Sequence, residues 1–431
     1  MSLKIAYDIR VFAKEFERNE HKTGVYRETE EIMRELGKRD DVDLTLVCLG
    51  GKTRFIYEAF RASLCVKNDP ELSKYKFLDS SRSRLNIKGF HYKVELIRSR
   101  REPQNSADKL LKSIFAHAAA KILKEFDADI SFTDREFDVY HSTYHKLPDV
   151  AITKNLPRVL TVQDMIPAVS PELVAPSLVS EFNETLGSIN HHKDWVICIS
   201  EYTQKQFCEF TGMSIERTSV TPLAAASHFY PVTDSARIDQ VRQKYSIPQG
   251  RYFLSIASHL APHKNLAHLI RCFFQLLSTH PNLDIKLVLA GSKRNRSDQS
   301  LGDSTFHQFS DRVIYTGYVA DEDLSALYSG ATAFIFPSLY EGFGLPPLEA
   351  MSCGTPVICS NTTSLPEVVG NAGILIDPRD ENALCQAMLD LLKDDLLVQE
   401  LRQKGIERSR LFSWSKCTAD TVDVYKKVLC S

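Results

Sequence analysis

Short apolar runs alternate with longer segments of helical periodicity along most of the chain. The stretch Tyr26–Leu36, for example, places Ile32, Met33 and Leu36 on one face of a helix. The other runs are almost continuously apolar, which is typical of strands in a parallel sheet covered on both faces. Strand, helix and strand in this order predict right-handed crossovers in an α/β fold. The predicted strands of the N-terminal half are Lys4–Ile9, Leu44–Leu49, Val139–Ser142, Val159–Gln163 and Val196–Ser200.

The alternation stops around Pro231–Pro248, where polar and turn-forming residues dominate, and then restarts. We therefore predict two Rossmann-like, doubly wound domains that face each other across a cleft, over residues 1–235 and 236–412. Residues 413–431 form a predicted helix that would cross back to the first domain. Ligands bind at the carboxyl ends of the strands in such sheets. The elements predicted after the break are Tyr252–Ala257, the helix Leu266–Ser278, Lys286–Ala290, Val313–Thr316, Ala333–Pro337, Pro356–Ser360 and Gly373–Ile376.

The charge of the chain is nearly balanced overall but not locally. The 431 residues carry a net charge of -2, which argues against a nucleic-acid-binding protein, since that class normally has a basic excess. Residues 74–124 differ, with thirteen basic and four acidic side chains and a net charge of +9. Two interpretations stay open for this segment: a solvated surface insertion, or a basic face for a lipid headgroup or a phosphate-bearing acceptor.

The ten cysteines do not form a disulfide or zinc pattern. Several lie inside apolar runs, no C-x-x-C occurs, and no Cys/His cluster has the spacing of a zinc site. Reduced thiols in a reducing compartment are therefore expected. The first ten residues lack the apolar core of a signal peptide, and no apolar run reaches the length of a membrane span. We expect a cytoplasmic protein, with peripheral contact at the inner face of a membrane left open.

The strongest chemical signal is the stretch Phe334–Gly354, FIFPSLYEGFGLPPLEAMSCG. Its apolar start predicts a strand, Gly342 and Gly344 let the backbone approach a ligand, and prolines suit the first turn of the following helix. The N-terminus of that helix favours phosphate. Glu341 in the loop and Glu349 in the first helical turn are good acceptors for sugar hydroxyls. The stretch therefore predicts a sugar-nucleotide site; a plain strand–turn–helix with two glutamates is the alternative.

The spacing of Glu341 and Glu349 in EGFGLPPLE resembles the E-x7-E signature of the retaining glycosyltransferases of family 4, which are group 1 glycosyl transferases with the GT-B fold. The resemblance covers most of the chain and is weaker in the N-terminal half. It implies that the C-terminal domain holds the nucleotide and that the N-terminal domain presents the acceptor. The other matching stretches are Lys22–Glu28, Val139–Ser142, Cys198–Thr203, His259–Asn265, Val288–Ser292, Thr316–Val319 and Leu365–Val369.

The resemblance implies a role for each matching residue. Glu349 would accept hydrogen bonds from the ribose, Glu341 would contact hydroxyls of the transferred sugar, and Lys264 would neutralise the leaving phosphate. The diphosphate and the sugar would be held by the backbone of four consecutive residues, Gly342, Phe343, Gly344 and Leu345. Tyr318 and Val319 match a position that contacts the base, and Gly24 would approach the reacting centre.

Three positions depart from the family pattern. Ser258 and His263 both stand where relatives carry an arginine, the second of them directly before Lys264. Charge on the leaving diphosphate would then be balanced by Lys264, the helix dipole or an arginine elsewhere, and by His263 if phosphate raises its pKa. Gln163 stands where relatives have a histidine beside the donor sugar, and it cannot take up a proton. Asp164 either takes that role or only caps a turn.

Together these residues predict an enzyme that moves a hexose, with a mannosyl-like sugar favoured, from a UDP- or GDP-sugar to a hydroxyl of a saccharide, glycolipid or polysaccharide. The family implies retention at the anomeric carbon and no metal or other cofactor in the site. Two alternatives stay open, because Ser258, His263 and Gln163 depart from the pattern. One is a GT-B protein that binds a sugar nucleotide without turning it over, and the other is a nucleotide-sugar epimerase.

Overall fold

A computed structural model describes residues 2–12, 24–48, 66, 69–70, 72–79, 137–149, 156–256, 261–291 and 309–430. The basic segment therefore lies outside the described residues from position 80 onward, and so does Ser258. None of the helices within these ranges combines the length and the hydropathy that a bilayer-spanning segment requires.

Two separate parallel sheets form the framework. Thirteen strands and twelve α-helices are described, and their bounds follow the predicted alternation closely. The strands are β1 Leu3–Asp8, β2 Val42–Cys48, β3 Lys76–Asp79, β4 Val139–Ser142, β5 Arg158–Val162, β6 Trp195–Cys198, β7 Thr218–Val220, β8 Arg251–Ile256, β9 Ile285–Ala290, β10 Val313–Gly317, β11 Ala333–Phe336, β12 Val357–Ser360 and β13 Ile374–Ile376. The α/β class with two parallel sheets is confirmed. Strand β3 is an addition, because its sequence KFLD shows no apolar run that sets it apart.

The helices fall between these strands. They are α1 Gly24–Leu36, α2 Ile166–Val169, α3 Pro176–Leu186, α4 Glu201–Thr211, α5 Ser235–Lys244, α6 Leu266–Thr279, α7 Asp321–Ser329, α8 Leu345–Ser352, α9 Leu365–Val369, α10 Glu381–Lys393, α11 Asp395–Ser409 and α12 Trp414–Cys430. Apolar residues of α6 and α10 pack with strands β8 to β12 in one continuous core. Burying these apolar faces is the main source of stability for such layers.

The strand orders place a switch point in each sheet. The seven-stranded sheet has the order β3-β2-β1-β4-β5-β6-β7, and the six-stranded sheet has the order β10-β9-β8-β11-β12-β13. In the second sheet the order therefore reverses between β8 and β11, and open α/β sheets bind ligands outside the carboxyl ends of strands at such a point. The segments that follow β8 and β11 carry Lys264 and Glu341.

Contacts within the chain divide it into two compact units. The first comprises 1–160, 188–194 and 425–431, and the second comprises 161–187 and 195–424. In the first unit Tyr425, near the end of α12, shares a hydrogen bond of 2.7 Å with His141. This division differs from the predicted domain bounds, which follow the strand pattern and stay a prediction. All the described candidate residues from Gln163 to Glu349 belong to the second unit.

Candidate active site

The glycine loop, defined as residues 337–344, joins β11 to α8. Helix α8 begins at Leu345, and the second and third positions are prolines, as predicted for a first turn. Glu349 is the fifth residue of this helix, so the prediction that it lies in the first turn is wrong by one residue. The helix begins earlier than the prolines alone suggested because Gly344, with a φ of +124°, precedes its first residue in a conformation that favours glycine.

Hydroxyl groups bind the carbonyl oxygens of the glycine loop. Ser364 Oγ lies 2.9 Å from the oxygen of Glu341 and 2.7 Å from the oxygen of Phe343. Two further hydroxyls, from Ser200 and Thr203, donate to the oxygen of Gly342. Side-chain hydroxyls thus lie within hydrogen-bond distance of three successive carbonyl oxygens, and Ser364 shares its single proton between those of Glu341 and Phe343.

The amide groups of the same loop are arranged differently. Among the residues that the structure describes, no acceptor bonds the N–H of Gly342, Phe343 or Gly344. No side chain caps the N-terminus of α8. Pro346 and Pro347 have no N–H, and the N–H of Leu348 donates to the oxygen of Gly344, so Leu345 is the residue of this turn whose N–H continues the donors of the loop. Consecutive backbone donors at a helix N-terminus form a site that favours an anion.

Two glycines of this loop lie where a side chain would collide. A Cβ at Gly342 would lie 2.0 Å from the carbonyl oxygen of Gln163 and 2.9 Å from Cβ of Asp164. A Cβ at Gly344 would lie 2.9 Å from the side chain of Leu365. Segment 163–164 therefore packs directly against the glycine loop, which brings together two groups of candidate residues that are far apart in the sequence.

Lys264 and Glu341 form an ion pair, with 2.7 Å between Nζ and Oε1. The two side chains are 22% and 12% exposed, and the Lys264 ammonium also lies 5.1 Å from the centroid of the Phe336 ring. Partial burial strengthens such a charge interaction relative to bulk water. The two residues predicted to contact the leaving phosphate and the transferred sugar are thus adjacent.

The turn that presents Lys264 is fixed from both sides. Pro262–Lys264 forms a 3-10 turn, and Asn265 follows it in a left-handed conformation with a φ of 57°. The Asn265 amide donates to the oxygens of Pro337 and Pro378, at 3.1 and 2.8 Å. The oxygen of His263 accepts from the N–H of Leu339 at 2.7 Å. The position of Lys264 is therefore tied to the start of the glycine loop.

Asp164 caps a turn beside the glycine loop. Its Oδ1 accepts the N–H of Ile166 at 2.9 Å, so the turn-capping interpretation is confirmed. Burial raises the pKa of this carboxyl to about 6, and Glu341 and Lys264 are close enough to act on it electrostatically, in opposite directions. A carboxyl with this pKa can exchange a proton near neutral pH. Its use as a base stays a prediction.

Asp164→Asn should stabilise the protein at pH 7.5 and have little effect at pH 4. The folded-state pKa of Asp164, about 6, exceeds the ordinary value of 3.8, so the folded state binds the proton more tightly. Its ionisation therefore lowers the free energy of unfolding as the pH rises from about 4 to above 6, by about 3 kcal/mol at most. Denaturant unfolding of both proteins at the two pH values measures this, and an equal difference at both would contradict it.

Glu349 is buried inside the second unit. Its Oε2 accepts from the hydroxyl of Tyr328 at 3.0 Å, and both residues are buried. The hydrogen bond fixes one carboxylate oxygen. The contact of Glu349 with a ribose hydroxyl stays a prediction.

The remaining predicted contacts are placed as follows. Tyr318 is 45% exposed, whereas Val319 is buried and offers a ligand little surface. Gly24 is the exposed first residue of α1 rather than a loop residue, and it belongs to the first unit. These three roles stay predictions.

Sequence reasoning missed the hydroxyl residues that hold the glycine loop. Ser200 and Thr203 lie in the stretch Cys198–Thr203, which matches the family pattern, but neither was assigned a role in holding the loop. Ser200 also caps α4, where it accepts the N–H of Thr203 at 3.0 Å. Thr363 and Ser364 gave no signal, since isolated hydroxyl residues are common in turns. Thr363 Oγ1 accepts the N–H of Glu341 at 3.2 Å.

Comparison with known proteins agrees with the resemblance to glycosyl transferases that the sequence shows. Residues 237–411 match the family model described as glycosyl transferases group 1. The O-antigen chain mannosyltransferase B of Escherichia coli is 34% identical over 295 residues, which are 67% of this chain and 74% of the relative. The serotype-specific mannosyltransferase WbdA of Escherichia coli is 32% identical over 281 residues, 63% of this chain but only 33% of WbdA.

Among solved structures, that of Anabaena Alr3699/HepE in complex with UDP and glucose matches with a TM-score of 0.61 and 16% identity. The match covers 99% of this chain and 100% of the other. At this level of identity the likeness concerns the fold, and it supports the GT-B architecture.

Proposed function

This chain belongs to the group 1 glycosyl transferases, and we propose that it moves a mannosyl-like hexose from a nucleotide diphosphate sugar to a hydroxyl of a saccharide, glycolipid or polysaccharide acceptor, with retention. The relatives named above are mannosyltransferases, which favours mannose as the sugar. A guanosine diphosphate sugar is the first donor to test, and a uridine diphosphate sugar is the second.

One observation carries the proposal. The glycine loop places the carbonyl oxygens of Gly342 and Phe343 against hydroxyl groups, directly beside the Lys264–Glu341 pair. Among the described residues, no acceptor bonds the N–H groups of Gly342, Phe343 and Gly344. Hydrogen-bond donors that are fixed before the reaction stabilise the charge that develops on a leaving diphosphate, because these donors do not have to reorganise during the step. This arrangement suits a sugar diphosphate better than a neutral ligand.

The step itself needs few groups from the protein. The acceptor oxygen bonds to the anomeric carbon while the bond from that carbon to the diphosphate oxygen breaks. In a same-face route the leaving phosphate oxygen takes the acceptor proton, so Gln163 does not have to act as a base. Lys264, released from Glu341 by the donor, would balance the phosphate charge, and Glu341 would then accept from the sugar hydroxyls.

Lys264, the loop amides and the helix N-terminus supply the positive charge that the leaving group needs, and we propose that no metal is required in the site. Addition of a chelator should then leave the rate of transfer unchanged. A loss of activity that magnesium or manganese restores would contradict this part of the proposal.

The central experiment offers the protein GDP-mannose and UDP-glucose with a panel of oligosaccharide acceptors and detects products by mass spectrometry. The proposal expects a product one hexose heavier than its acceptor, with the configuration at the anomeric carbon retained. Tight donor binding without transfer to any acceptor would indicate a binding protein. Conversion of the sugar nucleotide into a different sugar nucleotide in the absence of an acceptor would indicate an epimerase.

Glu349→Gln should weaken binding of the nucleoside diphosphate by roughly tenfold, because a neutral amide oxygen accepts less strongly from ribose hydroxyls than a carboxylate does. Calorimetric titration with GDP and UDP measures the effect. Tyr328→Phe is the matched control, since it removes the internal hydrogen bond to Glu349 but keeps the carboxylate. Equal losses in both variants would show that the effect comes from local packing rather than from ribose recognition.

A further inference from the structure

The N-terminus of α4 lies directly on the glycine loop. Ser200 Oγ and Thr203 Oγ1 are 2.7 and 3.1 Å from the carbonyl oxygen of Gly342. Both side chains are almost completely buried. A carbonyl oxygen can accept two hydrogen bonds, so these two hydroxyls fill its capacity.

These two bonds fix the orientation of an entire peptide group. A trans peptide is planar, so its C=O and its N–H point in opposite directions. The N–H of Phe343 must therefore point away from the hydroxyls of Ser200 and Thr203. The next peptide is fixed in the same way, because Ser364 Oγ lies 2.7 Å from the oxygen of Phe343 and so determines where the N–H of Gly344 points.

A separate contact anchors the helix. The carboxylate of Glu367 accepts the N–H of Glu201 at 2.8 Å and of Tyr202 at 2.7 Å. Helix α4 therefore stays attached to this region without the hydroxyls of Ser200 and Thr203. Removal of the hydroxyls should consequently change the loop's orientation rather than detach the helix.

We propose that Ser200 and Thr203 are positioning residues for the donor diphosphate, acting through the carbonyl of Gly342 on the amide of Phe343. The inference rests on the proposed function, because it assumes that this amide binds the diphosphate. Neither hydroxyl touches the donor. Their effect is specific to the phosphates, because this amide, and not the ribose or base contacts, depends on the orientation of this peptide.

The test compares a nucleoside diphosphate with its monophosphate. Thr203→Val removes one hydroxyl at constant shape and leaves the cap of α4 in place, and Ser200→Ala with Thr203→Val removes both. Calorimetric titration with GDP, GMP, UDP and UMP should show GDP or UDP binding weakened by roughly tenfold in the single variant and a hundredfold in the double variant. GMP or UMP binding should change by less than threefold. Thr203→Ser, which keeps the hydroxyl, should bind like the wild type.

The control separates positioning from stability. Asp380→Ala removes the N-cap of α10, where the Asp380 side chain accepts the N–H of Ala383, and should reduce stability without changing the ratio of the two affinities. An unchanged ratio in the folded double variant would overturn the inference while leaving the proposed function intact. Failure of the wild type to bind GDP or UDP would overturn both.

Discussion

Lys264→Met should lower kcat for sugar transfer by roughly 100- to 1000-fold, the range found when one preorganised donor to a developing anion is removed. The ammonium is mostly buried, and it lies over the Phe336 ring and beside the Glu341 carboxylate. Because the side chain has low exposure, its charge acts more strongly on a leaving diphosphate than the charge of a surface lysine would. Rates of product formation at saturating donor measure the effect.

The same change also leaves Glu341 as a partly buried carboxylate without its ion-pair partner, which costs stability on its own. The double variant Lys264→Met with Glu341→Gln removes that unpaired charge, so it should recover stability but not kcat. Lys244→Met is the matched control, because Lys244 pairs with Asp323 at 2.6 Å in a different part of the same unit. A kcat near the wild-type value in a stable Lys264→Met variant would exclude a role for this lysine in the chemical step.

The sequence predicted the features of this site that are local. A strand, two glycines, two prolines and the Glu341–Glu349 spacing occur within 21 residues, and each restricts the backbone by itself. The two parallel sheets were predictable for a similar reason, because buried strands leave nearly continuous apolar runs. The position of Glu349 within α8 was predicted wrongly by one residue, because the start of α8 depends on the backbone of Gly344 and not only on the prolines.

The contacts that position the loop could not be predicted from those patterns. Ser200 lies 142 residues before Gly342, and Lys264 lies 77 residues before Glu341. No local periodicity reports a hydrogen bond between a helix cap and a distant carbonyl. The pKa of Asp164 depends in the same way on burial that only the folded chain supplies. Its sequence neighbours suggested a turn cap, and they gave no information on the nearby lysine and glutamate.

Gly342→Ala should reduce kcat/KM by at least 100-fold and is the most direct test of the loop geometry. The φ of Gly342 is not in the positive region, so alanine is not excluded by backbone conformation. The obstacle is the carbonyl oxygen of Gln163, 2.0 Å from the new Cβ, which cannot rotate away as a side chain could. The loop or segment 163–164 must therefore shift by about 1 Å, a displacement that can cost 100-fold in rate.

Gly212→Ala is the control for this substitution. Gly212 has a φ of +71°, so alanine is strained there by about 1 kcal/mol, but its Cβ would meet nothing within 4 Å. This variant should lose stability and keep its activity, whereas Gly342→Ala should lose activity even at a temperature where both variants are fully folded. Thermal unfolding and initial rates on the same samples separate the two effects. Equal activity in the two variants would mean that the amides of the glycine loop do not hold the sugar nucleotide. If these amides were fixed in place to bind the departing diphosphate, a shift of the loop would reduce the rate of transfer.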